Sequence, residues 1–308
     1  MDIEILLILQ NFREVTDGVF NSFMSYVTTY GEELKLMMLA MAIYWCVDKK
    51  HGIYTMMTWG AARLVNGFLK VTACIYRPWI KDARVVPVES AKITATGYSF
   101  PSGHITSATS VFGSIAMNKK SNKLLKILMY IIIILVGFSR IYLGVHTPLD
   151  VVVGFLYTFI LLYLIKFILQ KVEEKPNLDI LVLIIGLLLN IAVIIYATYK
   201  NYPMDYDDAG NLIVNPIKMA IDTYKNCGLS MGVLVSWFID RRWLCFENKG
   251  TIIQRVCAYI IGILFYLVIE YIIVSLLPTN IVGYILNKFI KIIYCMLIVP
   301  FMMKKCIK

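Results

Sequence analysis

The stretch SRIYLGVHTPLD, residues 139–150, lies between two long apolar runs and carries an arginine, a histidine and an aspartate. Charged side chains at the edge of a membrane-length apolar segment are costly to place and usually have a function. Thr147 is suited to cap the helix that follows. His146 and Asp150 are then neighbours at a helix start, so the carboxylate can hold the imidazole in one tautomer. One ring nitrogen stays free for chemistry, and Arg140 lies near enough to hold an anion.

The composition predicts a polytopic membrane protein. Of 308 residues, 59% are hydrophobic and 16% are charged, and the mean hydropathy is +0.72. A soluble domain of this length carries about a quarter charged residues. A soluble protein with a large core could not supply several apolar runs of about twenty residues, which match the thickness of a bilayer. The expected fold class is an all-α bundle of membrane-spanning helices.

The net charge of +10 is compatible with nucleic-acid binding or with membrane orientation. Cytoplasmic loops of membrane proteins are rich in lysine and arginine, and this explanation suits an apolar chain better, so no nucleic-acid partner is expected. The seven cysteines are scattered and show no C-x-x-C or zinc-type spacing. We interpret them as packing residues.

Nine apolar segments are candidates for membrane helices. They cover residues 32–47, 52–75, 105–117, 124–138, 149–169, 178–199, 216–239, 252–276 and 281–303. The last contains Lys288 and Lys291, so about eight to nine transmembrane helices are expected. We predict an interfacial amphipathic helix within residues 1–31, a six-helix transmembrane core over 32–200 and additional helices over 201–308.

Lysine and arginine are unevenly distributed between the two sets of loops that these spans define. The richer set comprises residues 49–50, 119–126, 166–175, 241–255 and 304–308. The positive-inside rule places this side, with the C-terminus, in the cytoplasm. The polar clusters at residues 70–77, 102–104 and 140–150 then share the extracytoplasmic face. The Ile-, Lys- and Tyr-rich composition favours a bacterial plasma membrane.

Three cations and one helix start form a candidate anion site at that face. Lys70 and Arg77 are seven residues apart, so on one continuous helix both are expected to face the same way. Ser102 is placed to cap a helix, and the adjacent Gly103 leaves backbone N–H groups accessible to an anion. Arg140 supplies the third positive charge.

His104 and His146 complete this candidate site, together with Asp150. Cations and N–H groups suit a phosphoryl group, whose transition state spreads negative charge over three equatorial oxygens. Two histidines suit a two-step displacement, in which one attacks phosphorus and the other protonates the leaving oxygen. No acidic cluster adjoins these residues in the sequence to hold Mg²⁺ or Zn²⁺, so no metal or other cofactor is expected.

Three linked motifs carry a specific resemblance. They are Lys70-x6-Arg77-Pro78, Pro101-Ser102-Gly103-His104 and Ser139-Arg140-x5-His146-x3-Asp150. In order and spacing they resemble the signature of the type 2 phosphatidic acid phosphatase superfamily, which also includes glucose-6-phosphatase and the vanadium haloperoxidases. The match covers about residues 32–170, which implies that the six-helix core is phosphatase-like. Residues from 178 onward lie outside it.

The resemblance implies a role for each matched residue. His146 looks like the nucleophile that forms a phosphohistidine, oriented by Asp150. His104 looks like the general acid for the leaving alcohol and then the general base for water. The resemblance also implies that no metal is required. The phosphate oxygens would be held by Lys70, Arg77, Arg140, Ser102 and the Gly103 N–H.

The expected activity is removal of phosphate from a lipid phosphate or diphosphate at the extracytoplasmic leaflet. Candidate substrates are phosphatidate, phosphatidylglycerol phosphate, a sphingoid-base phosphate and undecaprenyl diphosphate. A phosphotransferase that passes the phosphoryl group to a second lipid or sugar needs the same first half-reaction and stays open. A non-enzymatic lipid-binding relative is the alternative from a different class, although no signature residue is missing. A transporter lacks the support of an inverted repeat.

Other polar residues inside apolar segments have structural explanations. Glu270 is expected to form an ion pair with Lys288 or Lys291. Arg63 and Asn66 are expected to make hydrogen bonds between helices, with a supporting role at the site as the alternative.

Overall fold

The computed structural model describes residues 2–207 and 209–307. Within these ranges the regular secondary structure is helical, with a single isolated β-bridge between Tyr206 and Leu212. In chain order the α-helices are α1 Asp2–Val15, α2 Asn21–Thr28, α3 Glu33–Ala42, α4 Lys49–Ala73, α5 Pro78–Lys81, α6 Glu89–Lys92, α7 Gly103–Ala116, α8 Lys123–Tyr142, α9 Pro148–Glu174, α10 Leu178–Tyr199, α11 Pro216–Ile239, α12 Ile252–Leu276, α13 Ile281–Ile293 and α14 Val299–Cys306. π-Helical segments extend α3, α11 and α13 over Ile43–Val47, Asp240–Leu244 and Tyr294–Ile298. The predicted all-α class is confirmed.

The N-terminal segment forms two helices where the sequence suggested one. Asp17 and Gly18 both adopt left-handed backbone conformations, with φ of 48° and 66°, and turn the chain between α1 and α2. Helix α2 packs against α8. The buried Arg13 donates a hydrogen bond from Nη2 to the carbonyl oxygen of Val86 at 2.7 Å. The N-terminal segment is therefore packed on the bundle. That it forms a separate domain at the membrane interface stays a prediction.

Helix α4 ends before Arg77, which was predicted to lie on the same helix as Lys70. The Asp48 carboxylate caps its start by accepting a first-turn backbone N–H at 3.1 Å. The helix ends at Cys74, which adopts a left-handed conformation with φ of 48°. Arg77 thus lies beyond the helix, and the prediction that it shares one continuous helix with Lys70 is wrong. Both side chains nevertheless line the same cavity.

Helix α7 is central to the predicted core and packs against α4, α8 and α9. It lies close to α9 at Gly154, where a β-carbon would be 2.6 Å from Ile105 Cγ2. The backbone N–H of Ser102 also donates to the carbonyl oxygen of Asp150 at 3.0 Å. These contacts hold the starts of α7 and α9, which carry the second and third motifs, side by side.

The C-terminal helices follow the predicted spans. Helices α10, α11 and α12 begin and end at the predicted residues, and α13 and α14 form one candidate span over Ile281–Cys306. Helix α11 packs against both α4 and α13, so the C-terminal helices belong to the same bundle. Glu270 Oε1 lies 2.6 Å from Lys291 Nζ, which confirms the predicted ion pair.

Several helices are suited to cross a membrane. Among the described residues, five are long and apolar enough: Lys123–Tyr142, Pro148–Glu174, Leu178–Tyr199, Ile252–Ile272 and Ile281–Cys306. Helices α4 and α11, with 25 and 24 residues, are long enough but carry polar side chains, several of which line an interior cavity. The chain is a multi-pass membrane protein, and the predicted total of eight to nine spans stays a prediction.

The bundle has two chemically different ends. At one end, Lys49 pairs with Asp240 at 2.6 Å and Lys120 pairs with Asp48 at 2.7 Å. These residues belong to the loops on the predicted cytoplasmic side. Lys70 stands near the other end of α4, roughly 30 Å away along the axis at about 1.5 Å per residue. The predicted site and the basic loops therefore lie at opposite ends of the bundle.

Candidate active site

A polar cavity of about 380 Å³ lies where α4 ends and α7 begins. Its walls come from α4, α7, α11, α13, the start of α3, and the loops that follow α4 and α8. Five of the predicted site residues line it: Lys70, Arg77, Gly103, His104 and His146. The fold thus brings together residues from all three motifs, which are distant in sequence.

A glycine turn presents His146 to this cavity. Just beyond α8, Gly144 adopts a left-handed conformation with φ of 75°, which side chains disfavour. A β-carbon at Gly144 would also lie 3.1 Å from the Cα of Pro87. The backbone N–H groups of Val145 and His146 both donate to the carbonyl oxygen of Arg140, at 3.2 and 3.3 Å. The turn therefore fixes the imidazole relative to the end of α8.

The tautomer of His146 follows from its two ring contacts. Nε2 lies 2.9 Å from Nη1 of Arg77, and a guanidinium can only donate. Nε2 is therefore unprotonated, and Nδ1 carries the hydrogen, 3.3 Å from Oδ2 of Asp150. Burial, together with the positive charge of Arg77, lowers the pKa of His146 well below its usual value near 6.5. The ring is neutral at pH 7 with its lone pair on Nε2, and the predicted contact with Asp150 is confirmed.

Asp150 is held in place by a capping box and by a serine. Thr147 caps α9 as predicted, because its Oγ1 accepts the Asp150 N–H at 3.4 Å while Asp150 Oδ2 accepts the Thr147 N–H at 2.9 Å. The Ser99 hydroxyl donates to the same Oδ2 and lies 3.3 Å from His146 Nδ1. Ser99 was not predicted from the sequence. Its position two residues before Pro101, where the second motif begins, was the feature that could have indicated a role at the site.

Arg77 is fixed by the long loop between α4 and α7. Its Nε donates to the carbonyl oxygen of Gly97 at 3.0 Å, and its Nη2 donates to that of Thr96 at 3.0 Å. Nη1 donates to the carbonyl oxygen of Val145 at 2.9 Å as well as to His146. All these acceptors are neutral, so the positive charge of the guanidinium is available to an anion. The loop therefore positions a cation against the unprotonated ring nitrogen of His146.

The start of α7 carries polar atoms without partners. Ser102 occupies the predicted capping position, but its hydroxyl makes no capping hydrogen bond. Ser102 Oγ and His104 Nε2 are both buried and unpaired among the residues that the structure describes. Of these two residues, His104 lines the cavity and Ser102 does not, so the predicted role of Ser102 as a phosphate ligand stays a prediction. Native proteins pair nearly all buried polar atoms, so the unpaired His104 Nε2 at the cavity wall indicates a place for a polar ligand. Lys70 also points there, with Nζ donating to the Tyr98 carbonyl oxygen at 2.9 Å.

Arg140 lies behind the cavity wall. It is fully buried, and its Nη1 donates to Thr28 Oγ1 at 2.9 Å. Its Nε and Nη2 have no hydrogen-bond partner within the described chain. The side chain is thus a buried cation next to the His146 turn, and its predicted role as a direct phosphate ligand stays a prediction.

Six further charged residues of the described chain line the cavity, and of these only Arg63 was considered for the site from the sequence, as the alternative to a purely structural role. They are the cations Arg63, Lys225 and Lys288 and the carboxylates Glu32, Glu33 and Asp222. The two lysines and Asp222 come from α11 and α13, which no motif links to the core, so only helix packing reveals their position. Asn66 forms the predicted hydrogen bonds between helices, donating to Thr106 Oγ1 at 3.3 Å and Tyr157 Oη at 3.2 Å.

Two family models match the chain. One, described as the PAP2 superfamily, matches residues 52–174, and the other, described as the PAP2 superfamily phosphatase transmembrane extension, matches residues 224–307. No solved structure matches the chain significantly.

Three curated relatives are phosphatases by name. The chain is 34% identical to phosphatidylglycerophosphatase B of Bacillus subtilis (strain 168) over 131 residues, or 40% of this chain and 60% of that protein. It is 30% identical to undecaprenyl-diphosphatase of Sulfolobus acidocaldarius over 149 residues, or 48% of this chain and 69% of that protein. It is 29% identical to undecaprenyl-diphosphatase BcrC of Bacillus subtilis (strain 168) over 178 residues, or 56% of this chain and 86% of that protein.

A multi-pass helical bundle with a buried imidazole, cations and a helix start around one cavity defines a membrane-embedded domain with a candidate anion site. The similarities narrow this class: the chain belongs to the PAP2 superfamily and carries the transmembrane extension found with it. The resemblance seen in the three motifs is confirmed.

Proposed function

We propose that the protein is a metal-independent integral-membrane phosphatase that hydrolyses a lipid phosphate or diphosphate through a phosphohistidine intermediate. The observation that carries this proposal is the unprotonated Nε2 of His146, which faces a cationic cavity while Asp150 holds the opposite ring nitrogen. The relatives named as phosphatidylglycerophosphatase and undecaprenyl-diphosphatase support the substrate class.

In the first step, Nε2 of His146 attacks phosphorus and the bond from phosphorus to the leaving oxygen breaks. An incoming phosphate oxygen replaces Nε2 as the acceptor of Arg77 Nη1, which frees the lone pair for attack. Arg77 and Lys70 stabilise the charge on the equatorial oxygens. Burial and the nearby charge of Arg140 lower the pKa of His104 well below its usual value, so His104 takes up a proton together with the anionic substrate. It then gives this proton to the leaving oxygen, so the lipid departs as a neutral alcohol or, from a diphosphate, as a monophosphate.

In the second step, water attacks the phosphohistidine and the bond from phosphorus to Nε2 breaks. His104, now neutral, accepts a proton from this water. Asp150 stabilises the positive charge that the His146 ring carries while it is phosphorylated. Release of inorganic phosphate returns both histidines to their starting states.

The direct test is phosphate release by the purified full-length protein from a panel of lipid phosphates and diphosphates, with and without EDTA. We expect release from at least one lipid, and we expect EDTA to change the rate less than twofold, because the proposed phosphate ligands are protein cations. An activity that EDTA abolishes and a divalent cation restores would contradict the metal-independent mechanism. Products in which the phosphate reappears on an added lipid or sugar would indicate a phosphotransferase.

Ser99→Ala is expected to lower kcat/KM by about tenfold to a hundredfold, because Asp150 loses a buried donor and restrains the His146 ring less. Phosphate release measures the effect. Ser90→Ala is the matched control, since among the described residues the hydrogen bond of Ser90 Oγ is an exposed one with Ser25 Oγ. Ser99→Ala activity within twofold of wild type would show that the hydroxyl does not support the catalytic pair.

We further propose that the protein resides in the plasma membrane with the cavity open to the extracytoplasmic leaflet and the C-terminus in the cytoplasm. The separation of the cavity from the basic end of the bundle supports this orientation. Reporters fused to the C-terminus should behave as cytoplasmic. Extracytoplasmic reporter activity at that position would reverse the assignment.

A further inference from the structure

One wall of the cavity is built by the C-terminal extension. Residues of α11 and α13 that line it include Asp222, Lys225 and Lys288. Helix α11 lies so close to α4 that a β-carbon at Gly67 would be 3.1 Å from Asn226 Nδ2. Helices α11 and α13 of the extension therefore belong to the same core as the three motifs, and their charged side chains line the same cavity as His146.

The carboxylates of the cavity already have cationic neighbours. Glu33 forms an ion pair with Lys288 and lies 4.0 Å from Nη2 of Arg63. Asp222 is close enough to Lys70 to act on it electrostatically. The negative charges in the cavity thus leave its positive charges only partly neutralised, because five cationic side chains line it against three carboxylates.

Besides Lys70 and Arg77, two cations of the cavity form no close ion pair among the described residues: Lys225 on this wall and Arg63 on α4. Lys225 Nζ lies 5.9 Å from the centre of the Tyr284 ring and forms no ion pair with a carboxylate in the described part of the chain. Arg63 has only the long contact to Glu33, and its Nε is buried without a partner among the described residues. Lys225 and Lys288 also border a second polar cavity of about 270 Å³, so these lysines stand between the two spaces.

We propose that Arg63, Lys225 and Lys288 form a second anion subsite, which binds the phosphate group adjacent to the one transferred to His146. The subsite rests on the proposed function and gives the extension a role, which is to select lipids that carry two phosphate groups. Lysine and arginine on two or three sides of a phosphate make charge-assisted hydrogen bonds that a lipid with one phosphate cannot use. The second phosphate belongs either to a diphosphate or to a pair of phosphates bridged by glycerol.

The subsite is tested by measuring how phosphonates inhibit phosphate release from a lipid that the protein hydrolyses. The probes, used with EDTA present, are inorganic phosphate, methylenediphosphonate as a diphosphate mimic, and pentane-1,5-diphosphonate, whose linker is comparable to a glycerol bridge. For the wild type we expect one diphosphonate to inhibit at least about tenfold more tightly than phosphate, since it fills both subsites. The diphosphonate that inhibits more tightly identifies the spacing between the two phosphate subsites. It therefore shows whether the substrate is a diphosphate or carries two phosphates bridged by glycerol.

Lys225→Gln is expected to weaken that diphosphonate about tenfold and to change the inhibition constant of phosphate less than twofold. Arg63→Gln should have the same selective effect, and Lys225→Arg should restore tight inhibition because the charge returns. Lys218→Gln, an exposed lysine on the same helix, is the matched control and should change neither constant.

Three results would overturn the subsite, and the third would also refute the proposed function. If Lys225→Gln weakened inhibition by phosphate and by both diphosphonates equally, Lys225 would affect only the overall structure or the electrostatic potential of the cavity. Unchanged diphosphonate inhibition in Lys225→Gln and Arg63→Gln would mean that no second phosphate binds there. A wild-type protein that releases phosphate from no lipid would refute the proposed function, and the subsite with it.

Discussion

His146→Ala is expected to abolish phosphate release, with kcat/KM at least about 10⁴-fold below wild type. The variant keeps Arg77 and Lys70 but has no atom that can form the bond to phosphorus. Alanine introduces no clash at this buried position, so the helical bundle should stay folded, with a lower thermal stability because the buried imidazole is lost. Phosphate release from the best lipid substrate measures the loss, and thermal unfolding of the purified variant monitors the fold.

His51→Ala provides the matched control. His51 lies at the start of α4, at the basic end of the bundle, and its ring packs 5.9 Å from the Tyr54 ring. The same substitution there should leave activity within about twofold of wild type. Turnover by His146→Ala at more than about 1% of the wild-type rate would contradict the assignment of His146 as nucleophile, whatever the control shows.

His104→Asn is expected to lower kcat/KM for a lipid phosphate by about 10²- to 10⁴-fold, because the leaving alkoxide is no longer protonated. The loss in the first step should nearly vanish with p-nitrophenyl phosphate, since nitrophenolate leaves without a proton. The second step still lacks its base. We therefore expect a burst of nitrophenolate, stoichiometric with enzyme, followed by slow turnover.

Rapid-mixing measurements of nitrophenolate release distinguish this role from a structural one. Asparagine fits the site because His104 packs its Cβ closely against Gly31, and the smaller side chain adds no atoms there. A variant that loses the first turnover equally for lipid phosphate and p-nitrophenyl phosphate would show that His104 holds the substrate and does not transfer the proton.

Much of the local structure could be predicted because it depends on nearby residues. Hydrophobic runs and flanking polar residues give the ends of α11 and α12. The Thr147 cap and the contact of His146 with Asp150 follow from spacing within one helical turn. Each of these features depends on residues only a few positions apart.

The rest of the fold and of the site depends on tertiary contacts between residues far apart in the sequence, which local sequence patterns do not predict. The left-handed Cys74 ends α4 early without a glycine or proline to signal it. Ser99 reaches Asp150 only because α7 and α9 start side by side. Lys225 enters the cavity because α11 packs on α4, and Arg140 is turned toward Thr28 by the packing of α2 on α8.

The most direct measurement traps the covalent intermediate. Full-length His104→Asn protein is mixed with p-nitrophenyl phosphate labelled in its phosphate group, because nitrophenolate leaves without the acid that this variant lacks. The mixture contains EDTA and is quenched with base during turnover. We expect a base-stable, acid-labile phosphoryl group that peptide mass spectrometry locates on His146 and that is absent from His146→Ala. Substrate turnover with no label on the protein, or with the label on another residue, would contradict it.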